Sequence, residues 1–336
     1  MAPKAIDLFA GPGGLTLGLV AAGFEVVAAI ESDELAVKTY RANHPDVLIR
    51  HADIREVETA PLLAELGLDP EDIALCAGCP PCQGFSSVRT LNGKRTIDDP
   101  RNDLIAEYVR IVREIKPRAI MLENVPGLLR DERFEAAAAE LEALGYPACE
   151  GTQILNAADY GVPQNRRRLV LLCIRNGSVE FPEGTSERVT VRDAIADLAE
   201  AGESGDPLHD LPERRSGRVI EMIKAIPADG GGRLDLHESQ RLECHREFTG
   251  FKDVYGRMRW DQPAPTITGG CHNPSKGRFL HPVAHRAVTL REASLLQGFP
   301  PDYVFSLDRG KLAAAAMIGN AAPPPLVAAQ AAAVAG

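Results

Sequence analysis

The chain has 336 residues, of which 45% are hydrophobic and 25% charged, an ordinary globular composition at a length that indicates one large domain or two modest ones. It has no apolar run of about 18 residues and no signal-peptide pattern, and its seven cysteines are scattered, so we expect a cytoplasmic protein with reduced thiols and no membrane partner. The net charge of −10, taken over the whole chain, argues against a nucleic-acid binder.

The first 175 residues alternate short apolar runs with amphipathic stretches. This alternation implies an α/β fold in which a Rossmann-like, mostly parallel sheet is covered by helices on both faces. Ligands of such sheets bind beyond the carboxyl ends of the strands. We predict strands at 5–9, 26–30, 47–49, 73–76, 119–122, 152–155 and 169–174, and helices at 15–22, 34–43, 104–115 and 132–144.

The pattern changes from about residue 180, where clusters of proline, glycine and charged residues separate short segments. We therefore predict a second, smaller and irregular domain at 181–304, including a hinge. Helix-compatible stretches follow at 311–318 and 326–334, and the second of these would pack back on the sheet. The large domain is accordingly predicted to comprise 1–180 and 305–336.

The excess of acidic residues lies in the first half of the chain. Residues 1–159 hold 15 Lys and Arg against 26 Asp and Glu, whereas residues 241–300 hold nine basic residues against five acidic ones. The later segment therefore offers a weakly basic surface on which a polyanion could bind.

A glycine-rich turn follows the first predicted strand. Gly11, Gly13 and Gly14 stand where backbone N–H groups can approach a nucleotide-like ligand, although a plain tight turn has the same composition. A dinucleotide fingerprint needs a further glycine where Thr16 stands, which disfavours a nicotinamide or a flavin. S-adenosylmethionine has no pyrophosphate and needs only the open turn.

Two acidic residues end the next two strands. Glu31 lies 20 residues beyond Gly11, where an acid can bind ribose hydroxyls, and Asp53 ends the third strand. Either one alone is more often a helix cap or a solvated charge. Their joint placement beside the glycines favours a cofactor site.

Three cysteines stand at a spacing that resembles a metal motif, Cys76-Ala-Gly-Cys79-Pro-Pro-Cys82. Cys76 belongs to an apolar strand and two prolines stiffen the loop, so we predict no metal. Cys82 follows those prolines and precedes the polar sequence QGFSS. A thiol presented beyond a strand end is a nucleophile candidate, although a lone cysteine is more often a small core residue.

Two further polar groups accompany later strands. Glu123 closes the apolar strand at 119–122 and could donate a proton in a pocket of low polarity, or cap a helix. The sequence QNRRR at 164–168 precedes the last strand, where Arg166 and Arg168 would share one face if the segment is extended. An edge-strand charge cluster is the alternative for these arginines.

Nine motifs, in family order along nearly the whole chain, resemble those of the DNA (cytosine-5) methyltransferase family. They comprise DLFAGPGG, Glu31, Asp53, GCPPCQGFS, DPRN, ENV, QNRRR, the segment from Arg291-Glu292 to QGFP, and Gly319-Asn320-Ala321. A variable stretch lies between QNRRR and QGFP, where the family keeps its target-recognition region. The resemblance implies the fold of S-adenosylmethionine-dependent methyltransferases.

The chemistry of cytosine methylation explains these residue types. C5 of cytosine is a poor nucleophile, so a thiolate must add to C6, the role implied for Cys82. Charge then develops at N3, where Glu123 would stand as a protonated acid. Arg166 and Arg168 would hold the O2 edge, the phosphate and the nucleophile loop. No residue stands out as the base that removes the C5 proton.

The resemblance also implies the binding residues. Phe9 would contact the adenine, Glu31 the ribose, and Asn320 the methionine end of S-adenosylmethionine, whose product is S-adenosylhomocysteine. The full predicted cofactor set is Asp7, Leu8, Phe9, Gly11, Gly13, Gly14, Leu15, Glu31, Ser32, Asp53, Ile54, Pro81, Leu104 and Asn320. The predicted DNA contacts are Gln83, Ser86, Ser87, Arg257, Arg259, Thr266 and Thr268, although a solvated basic face is the alternative for the arginines.

We therefore expect a monomeric enzyme that methylates a flipped-out cytosine in a specific duplex sequence, acting at the nucleoid and, where a cognate restriction endonuclease exists, independently of it. An RNA-methylating member of the same family and a catalytically silent DNA-binding relative are the alternatives. The long variable region disfavours the first, and retention of Cys82, Glu123 and both arginines disfavours the second. A nicotinamide oxidoreductase is a more distant alternative.

Overall fold

A computed structural model describes residues 2–81, 103–243 and 250–336. The chain divides into two compact units, the first formed by Met1–Tyr160, Arg167–Gly184 and Ala322–Gly336, and the second by Gly161–Arg166 and Thr185–Ala321. The second unit thus includes 161–166 and 305–321, which the sequence analysis assigned to the large domain. The functional assignment of the two domains stays a prediction.

The first unit consists of alternating strands and helices. Its strands are β1 (Lys4–Leu8), β2 (Glu25–Glu31), β3 (Leu48–His51), β4 (Ile73–Gly78), β5 (Ala119–Asn124), β6 (Thr152–Asn156) and β7 (Arg167–Ile174). Its helices are α1 (Gly14–Ala21), α2 (Glu34–Asn43), α3 (Thr59–Leu66), α4 (Leu104–Ile115), α5 (Glu132–Ala143) and, from the end of the chain, a helix at Pro324–Ala332. The seven predicted strands are confirmed, with shifted ends.

The strands form one sheet in the order β3-β2-β1-β4-β5-β7-β6. The first five are parallel to one another, and β7 is antiparallel to both β5 and β6. This confirms the predicted α/β class with a mostly parallel sheet. The carboxyl ends of β1, β2, β4 and β5 lie at one edge, which is where ligands of such sheets bind.

Each face of the sheet is covered by its own hydrophobic core. Ile6 and Leu8 of β1 pack with residues of α4 and α5, while Ala5 packs on the opposite face with residues of α1 and the C-terminal helix. Successive side chains of a strand point to opposite faces, so Asp7 lies on the same face as Ala5. This face carries the polar groups described below.

Helix α3 was not predicted. Its sequence TAPLLAEL contains a proline, which usually argues against a helix. Pro61 stands in the first turn, however, where backbone N–H groups make no hydrogen bond within the helix, so a proline is tolerated there. Gly67 ends the helix with a φ of 65°.

The second unit has little regular structure in its described residues. Its α-helices are α6 (Val191–Ile195), α7 (Gly217–Ala225), α8 (Leu290–Leu296) and α9 (Gly310–Asn320), and the C-terminal helix of the first unit is therefore α10. Irregular backbone leaves carbonyl groups that no sheet ladder satisfies, so side chains must bond them. Arg166, Arg233 and Arg257 are among the largest fully buried side chains of the protein and serve this purpose.

Residues 310–332 are long and apolar enough to cross a membrane by length and composition. They form the two helices α9 and α10, separated by residues 321–323, rather than one continuous helix. Of the most apolar 18-residue window, 61% is buried inside the protein, as in the core helices of globular domains.

Candidate active site

The glycine turn joins β1 to α1 at the carboxyl edge of the sheet. Phe9, Gly11 and Gly13 have φ values of 63°, 56° and 101°, and Gly13 occupies the N-cap of α1. A φ above zero is unusual for phenylalanine, so the turn stores backbone strain at the position predicted to contact the adenine. Binding of a ligand at the N-terminus of α1 stays a prediction.

Below the turn lies a chain of buried hydroxyl groups that ends on Asp7. The Thr16 hydroxyl donates to Oδ2 of Asp7 at 2.6 Å and lies 2.7 Å from the Tyr40 hydroxyl. All three side chains are fully buried. A dinucleotide fingerprint would have its third glycine at position 16. Thr16 stands there instead, and its hydroxyl binds the buried carboxyl group of Asp7. Tyr40 was not predicted from the sequence, where its only signal was its place on the apolar face of α2.

Glu31 ends β2 beside the turn and is held by three backbone N–H groups. Oε2 accepts from Gly11 at 2.8 Å, and Oε1 accepts from Ser32 at 2.8 Å and Asp33 at 2.7 Å. A carboxylate offers about four acceptor positions, so the three bonds from described residues leave one for a ligand hydroxyl. The structure therefore links the predicted ribose acid directly to the glycine turn.

Asp53 follows β3 and caps a short 3-10 helix at Ile54–Glu56. Its carboxylate accepts from the backbone N–H of Arg55 at 3.0 Å and lies 3.0 Å from the guanidinium of the same residue. Asp53 thus acts as a helix cap, the alternative to a cofactor role, and its carboxylate stays partly exposed. The predicted role of Asp53 toward the adenine stays a prediction.

The remaining cofactor candidates of the first unit differ in exposure. Ser32 is exposed and Gly14 is buried as the first residue of α1. The apolar candidates are buried in or beside the cores, namely Leu8, Leu15, Ile54 and Leu104. Pro81 is the last described residue before Cys82, and Cys82, Gln83, Ser86 and Ser87 lie outside the described residues.

Glu123 and Arg168 form a nearly buried ion pair at the end of β5. Nε of Arg168 lies 2.9 Å from Oε1 of Glu123, and the two side chains are 12% and 7% exposed. Oε1 nonetheless accepts no well-aligned hydrogen bond within the described part of the chain. The structure thus brings together two of the four predicted catalytic residues.

Asn124 binds the backbone of Pro80, two residues before Cys82. Its Nδ2 donates to the carbonyl of Pro80 at 2.9 Å, and its Oδ1 accepts from the N–H of Val125 at 2.8 Å. This contact ties the rigid Pro80-Pro81 pair to the strand that carries Glu123. From the sequence Asn124 was predicted only as part of a motif, whereas the structure shows what its amide does.

Four polar side chains lie on one face of four neighbouring strands. Asp7, Cys79, Glu123 and Arg168 follow or belong to β1, β4, β5 and β7, which are adjacent in the sheet. Burial raises the pKa of the Cys79 thiol well above its usual range, and the nearby Glu123 and Asp7 carboxyl groups raise it further. Cys79 is therefore a neutral group between the predicted cofactor acid and the predicted catalytic acid.

Arg166 belongs to the second unit and is buried. Its guanidinium donates to the carbonyls of Ile267 at 2.8 Å, Gly319 at 2.9 Å and Ala321 at 3.3 Å. Gln164 extends the network by donating to Leu296 and accepting from Ile267. Three sequence motifs, QNRRR, QGFP and GNA, are thereby joined within this unit.

The network explains the glycine of the last motif. A Cβ on Gly319 would lie 2.2 Å from the carbonyl carbon of Thr268, so no side chain fits. Asn320, the predicted contact of the methionine end, follows it as the exposed last residue of α9. Its role toward the cofactor stays a prediction.

We expect Arg166→Met to lower the free energy of unfolding by about 3–5 kcal/mol, because the buried carbonyls of Ile267 and Gly319 lose their donor, while that of Ala321 keeps only Gln297. Urea denaturation checks this, with Arg167→Met as the matched control because Arg167 is exposed. A variant as stable as the control but without methylation would instead assign Arg166 a purely catalytic role.

A model of the C-5 cytosine-specific DNA methylase family matches residues 3–335. The chain belongs to this family. The predicted resemblance is confirmed, and the ordered motifs account for it across both units.

Relatives of this methylase support the same family. The Type II methylase M.HgiDII of Herpetosiphon aurantiacus is 38% identical, over 96% of this chain and 92% of its own. The Type II methyltransferase M1.HphI of Haemophilus parahaemolyticus is 36% identical, over 98% and 86%. A crystal structure described as a DNA modification methyltransferase encoded within an Escherichia coli prophage is 26% identical, with a TM-score of 0.67 over 98% of this chain and 97% of its own.

The structure corrects the prediction that Arg257 of this methylase contacts DNA. Arg257 is 1% exposed, and its guanidinium donates to four backbone carbonyls, among them those of Ile223 at 2.9 Å and His281 at 3.0 Å. Burial lowers the pKa of this arginine. Its sequence neighbourhood indicated a basic face, but irregular backbone needs this donor inside the unit.

The other predicted DNA contacts of the second unit are more accessible. Arg259 is exposed and lies against Gly230, where a Cβ would come within 2.6 Å of its Nε. Thr268 is exposed, while the Thr266 hydroxyl donates to the carbonyl of Asn165 at 2.8 Å. Contacts of these residues with DNA stay predictions.

Proposed function

We propose that this methylase transfers a methyl group from S-adenosylmethionine to C5 of a cytosine flipped out of a specific duplex DNA sequence. Cys82 forms the covalent bond to C6. The observation that carries the proposal is the Glu123–Arg168 pair at the strand end beside Pro80-Pro81, which lead directly into Cys82. The family match over both units supports it.

The residues divide the chemistry among themselves. The Cys82 thiolate adds to C6 and pushes electron density onto C5. Glu123, paired with Arg168 in the free protein, takes up a proton when the cytosine binds and supplies it to N3, while Arg168 stabilises the oxygen at C2, where a desolvated guanidinium binds strongly. After C5 takes the methyl group, the C5 proton leaves to water, the N3 proton returns to Glu123, and elimination of Cys82 restores the aromatic ring.

The glycine turn fits S-adenosylmethionine in two respects. Oδ1 of Asp7 is buried without a hydrogen-bond partner in the described residues, and the fixed Glu31 carboxylate keeps an acceptor position. Glu31 and Asp53 would hold the ribose and the adenine, with Phe9 on the adenine ring. The cofactor, when bound, supplies an electrophilic methyl group on a sulfonium sulfur.

The proposed partner is double-stranded DNA, and the protein acts as a monomer in the cytoplasm, at the nucleoid. The Type II names of its relatives support a place beside a restriction endonuclease that acts independently. Base flipping is required, because a cytosine within a duplex cannot reach a protein thiol.

The direct test incubates the purified protein with methyl-labelled S-adenosylmethionine and either duplex DNA or RNA from the same cells. We expect label in duplex DNA, and bisulfite sequencing should then show 5-methylcytosine at one recurring sequence. Label in RNA alone would indicate the RNA-methylating alternative. Absence of transfer despite cofactor binding would indicate a silent relative.

We expect Arg259→Ala to weaken binding to the methylated sequence by at least about fivefold, because one base-edge or phosphate contact is worth about 1–3 kcal/mol. Salt-dependent binding to duplex DNA checks this, and a lost phosphate contact lowers the slope by about one. Arg218→Ala is the matched control, an exposed arginine of the same unit. Equal affinities of the two variants would place recognition elsewhere.

A further inference from the structure

A cleft of about 490 Å³ lies in the second unit, lined by residues from the end of α6, the loop at 281–286 and Glu292 of α8. Its lining includes Trp260, the single tryptophan of the chain, and two histidines, His281 and His285. None of these side chains takes part in the proposed methyl transfer. The cleft thus brings together hydrogen-bonding groups that the reaction leaves unused.

His281 has an N–H donor that no described residue accepts. Its Nδ1 accepts from the backbone N–H of Ala284 at 2.9 Å and of Val283 at 3.2 Å, so the proton of the neutral ring stands on Nε2. Nε2 lies 3.8 Å from Oε1 of Glu292, beyond hydrogen-bond distance. Burial lowers the pKa of His281 to about 4, against the opposing effect of Glu292, and the nearby charge of Arg286 lowers it further. The ring is therefore neutral near neutral pH.

His285 has a second such donor. The guanidinium of Arg257 donates to its Nδ1 at 2.9 Å. A guanidinium cannot accept a hydrogen bond, so the proton of the His285 ring stands on Nε2. The side chain is exposed, and no described residue accepts from that nitrogen. Donation by a cation to Nδ1 polarises the ring, which makes Nε2–H a stronger donor.

The charge behind His285 has no counter-ion in the part of the chain that the structure describes. Arg257 is buried, its other hydrogen bonds go to backbone carbonyls, and it forms no ion pair with a described carboxylate. A buried charge without a partner of opposite sign is costly. Of the two acids that line the cleft, Glu292 is paired, because Arg286 donates to both of its oxygens at 2.7 Å, and Glu200 is exposed, so solvent screens it. An anion in the cleft would supply the missing counter-charge.

We propose that this cleft binds a phosphate group, which accepts hydrogen bonds from Nε2–H of His281 and of His285. A phosphate offers several acceptor oxygens together with negative charge, and it therefore matches two donors beside an uncompensated guanidinium. A phosphate of the DNA backbone and a free phosphate ion share this chemistry. The DNA source rests on the proposed function, whereas binding of the free ion does not.

The fluorescence of Trp260 reports on the cleft, because the chain has no other tryptophan. Iodide, an anionic quencher, should quench this fluorescence, and inorganic phosphate at constant ionic strength should protect it. In His285→Asn, half-maximal protection should need at least about fivefold more phosphate, because one hydrogen-bond donor is lost. The asparagine oxygen can still accept from Arg257. His237→Asn, at an exposed histidine of the same unit, is the matched control and should behave like the wild type.

A duplex oligonucleotide distinguishes the two sources of phosphate. Protection of Trp260 by the duplex that weakens in His285→Asn would assign the site to the DNA backbone. Protection by inorganic phosphate but not by the duplex would assign it to the free ion. Equal responses of the wild type and His285→Asn to both ligands, or no response of either protein, would overturn the inference.

A second measurement needs no variant. Inorganic phosphate should shift the imidazole nitrogen-15 resonances of two of the eight histidines in the wild type, and unchanged histidine resonances would refute the proposal. Failure of the inference is also distinguishable from failure of the proposed function. Methylated DNA without any phosphate response contradicts only the role of the cleft, whereas a phosphate response without methyl transfer contradicts only the proposed function.

Discussion

Cys82→Ser is expected to lower the methylation rate by at least about 10⁴-fold while leaving S-adenosylmethionine binding within about twofold. A serine hydroxyl is far less ionised than a thiol near neutral pH, so addition to C6 becomes the failing step. Cys82 is not among the predicted cofactor-binding residues, which is why binding should persist. Methyl transfer and calorimetry on the same preparation measure both quantities.

A covalent trap sharpens this test. Duplex DNA with 5-fluorocytosine at the target should form a denaturation-resistant complex with the wild type, because fluorine cannot leave as a proton does. Cys82→Ser should form none, and the matched control Cys149→Ser, at an exposed thiol, should trap normally. Trapping by Cys82→Ser would show that another residue is the nucleophile.

Glu123→Gln is expected to lower the methylation rate by about 10²–10⁴-fold, the usual contribution of a positioned acid. The amide keeps the shape of the side chain but cannot give a proton to N3. Because Arg168 lies 2.9 Å from Glu123 and is largely buried, the substitution also leaves a desolvated guanidinium without its counter-charge. We therefore expect a loss of stability in addition to the loss of rate.

Two measurements separate these effects. Single-turnover methyl transfer at a temperature well below unfolding reports the rate, and urea denaturation reports the stability. Glu135→Gln, an exposed glutamate on α5, serves as the control for both. A normal rate with reduced stability would restrict Glu123 to positioning Arg168.

Hydrophobic periodicity was sufficient to predict the sheet. The seven strands and the helices at 34–43 and 104–115 follow from apolar spacing, because a buried strand or an amphipathic helix repeats its apolar residues at a fixed period. The antiparallel direction of β7 and the existence of α3 did not follow. Direction depends on pairing with a distant strand, and α3 depends on where a proline falls within the first turn.

Part of the candidate site was predicted from the sequence, and part of it was not. Strand-end position placed Glu31, Glu123 and the glycine turn at one edge of the sheet, since the ends of parallel strands meet there. The hydroxyl pair of Thr16 and Tyr40 was missed, because their contact with Asp7 joins three elements separated in sequence.

The sequence by itself determined the family, the order of the motifs and the half of the chain that carries the acidic excess. Only the tertiary structure decided what each charge does. Of the basic residues that made 241–300 a candidate for binding DNA, Arg257 is buried on carbonyl groups, Arg286 pairs with Glu292, and Arg259 remains exposed. The physical reason is that an arginine is suited both to phosphate and to unsatisfied backbone carbonyls, and burial alone distinguishes the two.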